Sequence, residues 1–528
     1  MKSIVPLFII LCVICVVVPS ECARILALFP IPFYSHQTNH PLLWLELAKR
    51  GHEVVVVTPN PASHLNVPNI TQIDVSRSYV FVKPFDMTRI KFNGINWQTY
   101  LHEHIYHGSQ FFVENLFHHP QMKELYEPNS NATFDVLVIE MVEMPSLFAF
   151  AHRFHAPVIG FSSLTLSTIN EHILGGPVLT SHESVWEVGA HIGPNLSFWQ
   201  RLKNFVIVWR STYFLYRYLF PQHQRIAEKY LGPDLPPMLD IMKNISVIFV
   251  NQDDVLSPAR SKVANQISFT SLHISDNLKP LPKELQRFVD EAENGFIYFS
   301  LGTNALTSCL PNETLQIFID VFSKLPYRVV WKHEEELPRK PDNVFSMPWF
   351  PQQSLLAHPN IKMMIYQGGL QTSQEVVYFA VPVLGLPVLG DQDYQVRVME
   401  QLGIGKFLDL PTLTRDQLER NILDIVTDKR YKERILEVRS IAKDKPYDLL
   451  EHLVWWTEFV IRRKGAPHLR TSLASLPWYQ RYDTDIIVFL TIVVCIVIFI
   501  STNVFTKLLV YLYRQRQTTP ANKKQKRS

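Results

Sequence analysis

The sequence predicts an α/β protein with two doubly wound halves, followed by one membrane-spanning helix. The chain has 528 residues, which is too long for one ordinary core. Short, continuous apolar runs alternate with amphipathic stretches, and this alternation stops once and restarts. Continuous apolar runs are typical of parallel strands buried on both faces. A charge-free run from Ile486 to Thr506 has the length of a bilayer crossing.

The amino terminus has the features of a secretory signal peptide, predicted over residues 1–22. Lys2 precedes a charge-free run from Ser3 to Ser20, and small residues surround Cys22. A membrane anchor or a buried first strand is the alternative. The apolar centre is short for a span, however, and a strand-like stretch, "RILALFP", follows at once.

Residues 23–260 form the predicted amino-terminal, acceptor-binding domain. The strand "ARILALFP" is followed by the helix "HPLLWLELAKRG", which has Pro41 in its first turn and Gly51 at its end. Further buried strands are "HEVVVVTP", "FDVLVIE", "PVIGFSS" and "ISVIFVNQ". Residues 198–230 are rich in aromatic side chains and arginine and predict amphipathic helices.

Residues 261–282 form the predicted linker, because prolines are frequent there and periodicity is weak. The alternation restarts in residues 283–465, the predicted carboxyl-terminal domain, with strands such as "GFIYFSLGT", "IKMMIYQ" and "VPVLGLP". Two doubly wound halves leave a cleft between the carboxyl ends of their strands, and ligands bind at such places.

The carboxyl terminus predicts a juxtamembrane segment (466–485), a transmembrane helix (486–506) and a cytoplasmic basic tail (507–528). Aromatic residues flank the run on both sides, as at membrane interfaces. Positive charge stays on the cytoplasmic side, so the bulk of this single-pass, type I chain is predicted to be luminal. The ending "KKQKRS", with Lys524 and Lys526, resembles the dilysine-type signal that retrieves membrane proteins to the endoplasmic reticulum.

Charge and cysteine content exclude several classes of protein. Without Lys2, Glu21 and the six bases that follow Tyr513, the 51 bases and 48 acids become 44 and 47, which gives no electrostatic argument for nucleic-acid binding. Of five cysteines only Cys309 lies between the signal and the span, so neither a disulfide-built fold nor a cysteine zinc site is expected. Glycosylation sequons occur at Asn69, Asn131, Asn195, Asn244 and Asn312.

The stretch "MIYQGGLQTSQEVVYFA" places Gly368 and Gly369 between a strand and a helix. Paired glycines permit close approach of a ligand, and a helix start offers free N–H groups to a phosphate. Neither the P-loop nor the dinucleotide fingerprint is present. The glycines alone could simply turn the chain.

The neighbouring residues indicate a nucleotide sugar. Gln371 and Thr372 can donate to phosphate, and Glu375, one turn on, can accept both hydroxyls of a ribose. Asp391-Gln392 follows the next strand and suits the hydroxyls of a sugar ring. Trp349, upstream, can stack on a base.

These residues, in this spacing, resemble the signature of the UDP-glycosyltransferases, and the Gln-Gly-Gly-Leu-Gln form is similar to insect members. The resemblance extends over essentially the whole chain and implies the two-domain GT-B fold, with two Rossmann-like domains facing a cleft. It also implies a UDP-sugar as co-substrate and no metal or other cofactor. The donor-binding residues that it implies are Ser300, Thr303, Trp349, Gln352, Gln367, Gly368, Gly369, Gln371, Thr372, Glu375, Asp391 and Gln392.

The resemblance also implies an inverting transfer in which His36 takes the proton of an acceptor hydroxyl. The orienting acid would be Glu140, where relatives commonly carry Asp, and Glu143 competes for this role. His40 is interpreted as a surface or capping residue and Asp135 as structural. Residues 85–125 are aromatic and histidine-rich; a cover for a small lipophilic acceptor is favoured over a metal site.

Three functions follow from these residues. The first is glycosylation of small lipophilic hydroxyl compounds in detoxification or hormone or pigment conjugation, with glucose as the expected sugar and glucuronate or galactose as alternatives. The others are a catalytically weak membrane protein that binds UDP-sugar or a lipophile, and a transferase acting on a membrane lipid. The predicted location is the endoplasmic reticulum membrane; the bilayer is a predicted partner, and the sequence leaves a homo-oligomer open.

Overall fold

The computed structural model describes residues 22–82, 86–95, 100–101, 105–178, 195–257 and 261–518. They belong to two compact units, one within residues 1–471 and one within 472–528. The predicted signal peptide, apart from Cys22, lies outside the described residues. So does the end of the tail with Lys524 and Lys526.

The first unit contains two all-parallel sheets. The first has seven strands in the order β3-β2-β1-β4-β5-β6-β7, and the second has six in the order β10-β9-β8-β11-β12-β13. The strands of the first sheet are β1 Arg24–Leu28, β2 Glu53–Thr58, β3 Ile70–Asp74, β4 Val136–Glu140, β5 Val158–Ser162, β6 Val247–Asn251 and β7 Gln266–Phe269. Those of the second are β8 Phe296–Ser300, β9 Arg328–Lys332, β10 Val344–Met347, β11 Ile361–Tyr366, β12 Val383–Gly385 and β13 Gly405–Phe407.

Helices connect the strands and cover the sheets. Up to β7 they are α1 Tyr34–Gln37, α2 Pro41–Lys49, α3 Tyr79–Val82, α4 Met87–Phe92, α5 Tyr106–His118, α6 Pro120–Tyr126, α7 Ala149–Phe154, α8 Thr168–Ile173, α9 Phe198–Phe214, α10 Phe220–Leu231 and α11 Met238–Lys243. After β7 they are α12 Lys283–Asp290, α13 Asn312–Phe322, α14 Gln352–Leu356, α15 Leu370–Tyr378, α16 Gln392–Gln401, α17 Arg415–Thr427, α18 Lys429–Lys443 and α19 Leu449–Arg463. The second unit contains α20 Trp478–Arg481 and α21 Thr484–Thr518.

Each sheet is buried on both faces, which explains the continuous apolar runs of the sequence. In β1, Leu26 and Leu28 belong to one apolar cluster, whereas Ile25 and Ala27 belong to another. Successive side chains of a strand point to opposite faces, so a strand in the middle of three layers needs apolar residues at every position. The predicted α/β class with two doubly wound sheets is therefore confirmed.

We call the seven-stranded sheet with its helices the first lobe and the six-stranded sheet with its helices the second lobe. The predicted linker, residues 261–282, needs correction because β7 lies within it and pairs with β6 in the first lobe. The predicted end of the second domain at residue 465 also needs correction. Helix α19 contributes Leu453 and Val454 to a core cluster of the first lobe. Weak periodicity hid β7, which is four residues long.

A segment of the first half of the chain, in turn, packs against the second lobe. Ile90 of α4, which precedes β4 in the chain, packs in the core of the second lobe. Asp86 accepts a hydrogen bond from the amide of Leu306 at 3.3 Å, and Thr88 donates one to its carbonyl at 3.1 Å. Part of the predicted acceptor cover, residues 85–125, is therefore attached to the second lobe.

The second unit contains one helix that is apolar and long enough to cross a membrane. Helix α21, Thr484–Thr518, contains an 18-residue window with a mean hydropathy of 2.8, and none of the residues in that window is buried. It is longer than the predicted span of 486–506 and continues into the first residues of the basic tail. A membrane span at this position agrees with the prediction from the charge-free run.

Candidate active site

A cavity of about 840 Å³ forms a cleft lined by both lobes of the first unit. Parallel strands end at the same edge of a sheet, so the residues that follow β1, β4 and β5 meet in the first lobe. The residues that follow β8, β11 and β12 meet in the second lobe in the same way. The predicted location of the site at the strand ends agrees with this cavity.

His36 and Glu140 form a hydrogen-bonded pair in the cleft. His36 lies in α1, directly after β1, and Glu140 is the last residue of β4, which pairs with β1. The distance from His36 Nδ1 to Glu140 Oε1 is 2.7 Å, and Glu140 is buried. A carboxylate only accepts hydrogen bonds, so this contact places the imidazole proton on Nδ1 and leaves Nε2 as an acceptor.

The structure decides between the alternatives for the partner of His36. Glu143 lines the cleft, but the carboxylate paired with His36 is that of Glu140. Asp135 accepts a hydrogen bond from the amide of Arg24 at 2.7 Å, a structural contact at the start of the sheet.

The interpretation of His40 as a surface residue is wrong, because His40 is buried. It does occupy the N-cap position of α2, but its side chain makes no capping hydrogen bond. Its Nδ1 accepts a hydrogen bond from the indole of Trp44 at 2.7 Å, and burial lowers its pKa to about 3. Its neighbour Pro41 suggested a helix end at the surface, but α2 packs inside the first lobe.

The turn after β11 requires glycine at residue 368. Gly368 has a φ of +91°, and a Cβ there would lie 2.6 Å from the carbonyl oxygen of Gln392 and from Val396 Cγ2. Gly369 occupies the position before the first turn of α15. The side chain of Gln367 lies against the turn after β8, since a Cβ on Gly302 would be 2.1 Å from its Nε2. The predicted phosphate cradle is thus built on α15 and α16 packed close together.

Glu375 is the centre of a polar cluster on α14 and α15. Gln352 donates from Nε2 to Glu375 and, at 3.2 Å, to the hydroxyl of Thr372. Gln353 donates to the second oxygen of Glu375 at 2.9 Å. The cluster lines the cleft and unites Gln352, Thr372 and Glu375, which were singled out from separate stretches of the sequence.

Trp349 lies at the mouth of the cleft, with 53% of its surface exposed. Its ring meets Tyr34 of the first lobe edge-to-face, with ring centroids 5.5 Å apart. An exposed indole at the edge of a polar cluster retains a free face for a flat ligand.

Asp391 presents an unsatisfied oxygen in the cleft. Among the described residues its Oδ2 has no hydrogen-bond partner, although it is fully shielded from solvent. Burial raises the pKa of Asp391 to about 6. Its neighbour Gln392 is used differently, because its Oε1 accepts the amides of Val388 at 2.9 Å and Leu389 at 3.1 Å and so fixes the loop.

Ser300 and Thr303 line the cleft from the turn after β8. Ser300 Oγ accepts the amide of Gly302 at 3.2 Å, which shapes this turn. Of the twelve residues that the resemblance implied for the donor, eleven line the cleft. The twelfth, Gly368, forms the turn after β11.

Three polar residues of the site were missed. Ser163, after β5, donates to Glu140 at 3.3 Å and to the carbonyl of His36 at 3.2 Å. His273, after β7, faces Gln371 O at 3.2 Å and Glu375 Oε1 at 3.7 Å, and burial lowers its pKa. Asn251 accepts from Gln374 of the second lobe at 2.6 Å. Ser163 and Asn251 follow or end strands that the sequence predicted, so the strand-end rule would have found them, whereas His273 follows β7, which the sequence did not reveal.

Gln371 connects the two lobes beside His36. Its Nε2 donates to the carbonyl of Ser35 at 3.4 Å and to that of Ser163 at 3.3 Å. The residue was predicted to hold a diphosphate, and in the structure its side chain contacts the backbone of the first lobe at Ser35 and Ser163. The start of α15 and the His36–Glu140 pair are therefore mechanically linked.

Several other predicted features can be located. The sequon residues Asn69, Asn131, Asn195, Asn244 and Asn312 are all exposed. In the part of the chain that the structure describes, no three His, Cys, Asp or Glu side chains are grouped as metal ligands would be. Some of the histidine-rich residues between 85 and 125 lie outside that part.

Comparison with known proteins gives a consistent result. The family model for UDP-glucoronosyl and UDP-glucosyl transferase matches residues 25–519. UDP-glucosyltransferase 2 of Dactylopius coccus is 34% identical over 491 residues, which cover 91% of this chain and 92% of that relative. The ecdysteroid UDP-glucosyltransferase of Spodoptera littoralis nuclear polyhedrosis virus is 31% identical over 498 residues, or 90% and 95% of the two chains.

Solved structures agree on the fold. The glycosyltransferase VinC in complex with dTDP matches with a TM-score of 0.53 and 16% identity over 83% of this chain and 100% of that one. At this identity the likeness shows the fold alone, which is GT-B. From the family match and the full-length relatives, the chain belongs to the UDP-glucuronosyl and UDP-glucosyl transferase family and transfers a sugar from a UDP-sugar to an acceptor.

Proposed function

We propose that this enzyme transfers glucose from UDP-glucose, with inversion, to a hydroxyl of a small lipophilic acceptor. The observation that carries the proposal is the His36–Glu140 pair, placed in a cleft with a polar wall on one side and an apolar wall on the other. Relatives named as UDP-glucosyltransferases, one of them for ecdysteroids, support glucose and a lipophilic acceptor. Glucuronate is the first alternative, because the family includes glucuronosyl transferases.

In the proposed reaction His36 Nε2 accepts the proton of the acceptor hydroxyl as its oxygen attacks the anomeric carbon of the sugar. The bond from that carbon to the UDP oxygen breaks, and UDP leaves with the electron pair. Glu140 holds the proton of Nδ1 and stabilises the imidazolium that forms. Ser163 fixes Glu140 by its 3.3 Å hydrogen bond.

We assign the donor to the second lobe. Trp349 would stack on uracil, Gln352 would contact the nucleoside, and Glu375 would hold the ribose hydroxyls. The diphosphate would bind the free amides at the start of α15, together with Gly369 and Thr372, because a helix start favours negative charge. Backbone donors of this kind offset the charge of the leaving group, so the proposal requires no metal.

Asp391 is the proposed ligand for the sugar itself. Its buried, unsatisfied oxygen needs hydrogen-bond donors, and a sugar ring supplies adjacent hydroxyls. His36 lies near enough to Asp391 to lower its pKa, although burial outweighs this effect. The sugar would thus lie between the base and the donor site.

The first-lobe wall of the cleft suits a lipophilic acceptor. Ile31, Phe33, Met141, Leu164 and Ile105 line it, so apolar surface is available next to His36. The proposed setting is the endoplasmic reticulum membrane with the catalytic part in the lumen. Exposed sequons and one candidate span support this setting.

The test is UDP release by the full chain in membranes, with UDP-glucose, UDP-glucuronate or UDP-galactose and a panel of phenols and steroids. We expect turnover with UDP-glucose and a lipophilic hydroxyl, which His36→Ala abolishes and His64→Ala preserves, since His64 is an exposed histidine away from the cleft. Binding without turnover in wild type, or turnover only with a bilayer lipid, would contradict the proposal and favour one of the other two functions.

A further inference from the structure

His273 is a buried histidine of the cleft wall that has no role in the proposed reaction. It follows β7, the last strand of the first sheet, and lines the cleft together with Glu375 of the second lobe. Its side chain is only 5% exposed. Burial lowers the pKa of His273, so the imidazole is neutral at neutral pH. A neutral imidazole has one nitrogen that donates a hydrogen bond and one that accepts.

The surroundings of Nε2 identify the tautomer of His273. Nε2 lies 3.2 Å from the carbonyl oxygen of Gln371 and 3.7 Å from Glu375 Oε1, and a carbonyl or carboxylate oxygen only accepts. The ring proton is therefore on Nε2, and Nδ1 carries a lone pair. Nδ1 is shielded from solvent and has no hydrogen-bond partner among the described residues. A buried acceptor of this kind requires a donor that those residues do not supply.

The position of His273 is fixed by Gln353 of α14. Gln353 donates from Nε2 to the carbonyl of His273 at 3.0 Å and to Glu375 Oε1 at 2.9 Å. Its Oε1 accepts the amide of Ser275 at 3.0 Å. One glutamine therefore holds the backbone of the histidine and the carboxylate together. Since the two ring nitrogens are only two bonds apart, Nδ1 is also close to this carboxylate, in a position set before any ligand binds.

The proposed donor would supply hydroxyl groups at this place. Glu375 is assigned to the ribose, which carries two adjacent hydroxyls that can donate. The two carboxylate oxygens of Glu375 already accept one hydrogen bond each, from Gln352 and Gln353. A second acceptor beside this carboxylate can therefore take one of the two hydroxyls without competing with the glutamines.

We propose that His273 Nδ1 accepts a hydrogen bond from one ribose hydroxyl of the UDP-sugar, while Glu375 accepts the other. His273 is then a specificity-determining residue for the nucleotide part of the donor. Because it follows a strand of the first sheet, both lobes hold the nucleoside. This inference rests on the donor assignment of the proposed function.

The experiment measures the binding of UDP, 2′-deoxy-UDP and 3′-deoxy-UDP to the full chain in nanodiscs by calorimetric titration. UDP lacks the sugar, so the result is independent of the sugar and of the acceptor. We expect each analogue to bind the wild type about tenfold more weakly than UDP, because each lacks one hydrogen bond. In His273→Phe, which has no acceptor, the penalty for one analogue should fall to about twofold, and the penalty for the other should remain.

Two amide variants separate this contact from a structural role of His273. Asparagine can present its amide oxygen near the position of Nδ1, and glutamine can present its amide nitrogen near that of Nε2. His273→Asn should keep most of both penalties. His273→Gln should keep the contact with Gln371 and lose one penalty, as His273→Phe does. His64→Phe, at an exposed histidine away from the cleft, should match the wild type.

The possible results separate this inference from the proposed function. Unchanged penalties for both analogues in His273→Phe and His273→Gln would overturn the inference and leave the donor assignment intact. Loss of both penalties would also overturn it, since the substitution would then have displaced Glu375. A wild type that does not bind UDP would overturn the donor assignment together with this inference.

Discussion

Single side chains decide the chemistry of the cleft. His36 and Glu140 are 104 positions apart, and they meet because β1 and β4 are neighbours in the sheet. Glu140→Gln keeps the shape of the side chain but removes the charge that stabilises the imidazolium and can favour the wrong tautomer. We expect kcat to fall about 10²- to 10⁴-fold with little change in the affinity for UDP-sugar.

The matched control is Glu143→Gln. Glu143 was the rival for the same role and lines the same cleft, but it is not the partner of His36. It should retain kcat within about threefold of wild type. Equal losses in both variants, measured by steady-state kinetics, would show that general charge in the cleft, rather than this pair, matters.

Asp391 should make donor binding depend on pH. Burial raises its pKa to about 6, and only the ionised carboxylate accepts hydrogen bonds from two sugar hydroxyls. We expect the affinity for UDP-glucose to fall about tenfold between pH 7 and pH 5 as the carboxylate is protonated. Calorimetric titration with UDP, which lacks the sugar, is the control and should not show this step.

The same carboxylate should cost folding stability at neutral pH. Its pKa in the folded chain lies above the ordinary value of 3.8, so folding favours the protonated form and the charge destabilises the fold above pH 6. Asp391→Asn should therefore raise the free energy of unfolding by up to about 3 kcal/mol at neutral pH. The gain should shrink as pH falls through 6 and vanish near pH 4, as followed by thermal unfolding.

Among the turns, the one after β11 combines two demands. Gly368 needs a positive φ, and it also has no room for a side chain against α16. Gly94 has a similar φ of +71° but meets nothing within 4 Å. Gly94→Ala should lower the free energy of unfolding by about 1 kcal/mol, the cost of backbone strain alone. Gly368→Ala should lower it by about 1–2 kcal/mol more, because the added methyl group also overlaps α16, and it should weaken donor binding.

Donor titration and thermal unfolding of both glycine variants would measure this difference. If Gly94→Ala and Gly368→Ala lost the same stability and both bound donor normally, close packing of α15 on α16 would not shape the cradle.

The sequence was sufficient for most strands and helices of this fold and for most of the site. Continuous apolar runs such as β1 and β4 predicted the strands and, by the strand-end rule, a cleft that includes Asp391, whereas His36 and Glu140 were identified through the family resemblance. The strand-end rule failed at β7, where three of the four residues are only partly buried and the apolar run is weak. His273 was missed for the same reason, since it follows that strand.

Side-chain pairing was the other limit. No pattern in the sequence tells that Gln371 reaches the carbonyls of Ser35 and Ser163, because these contacts depend on how the lobes meet. The buried state of His40 was equally invisible, since it depends on the packing of Trp44 and Phe29 around it.

At the scale of the whole molecule, the packing of α19 on the first lobe rather than the second can be tested. Leu453 of α19 is fully buried in a cluster with residues of β1, β2 and β6. Leu453→Ala should cost about 2–5 kcal/mol and should raise amide hydrogen exchange in those strands and not in β8 to β13. Leu418→Ala, on α17 in the core of the second lobe, should show the opposite pattern.

Hydrogen-exchange mass spectrometry of the two leucine variants separates the outcomes. Faster exchange in the second sheet on Leu453→Ala would mean that α19 stabilises the lobe it follows in the chain, and the contact assignment would fail.

The reciprocal attachment of α4 and α19 has a consequence for engineering. Because each half of the chain lends a segment to the core of the other, a hybrid enzyme joined at a single point between residues 270 and 283 would inherit mismatched packing at two places. Exchange of acceptor selectivity between relatives should succeed only when residues 449–471 travel with the first half and the surface under residues 86–92 is matched to the second. The segments that must be exchanged together are thus separated in the sequence.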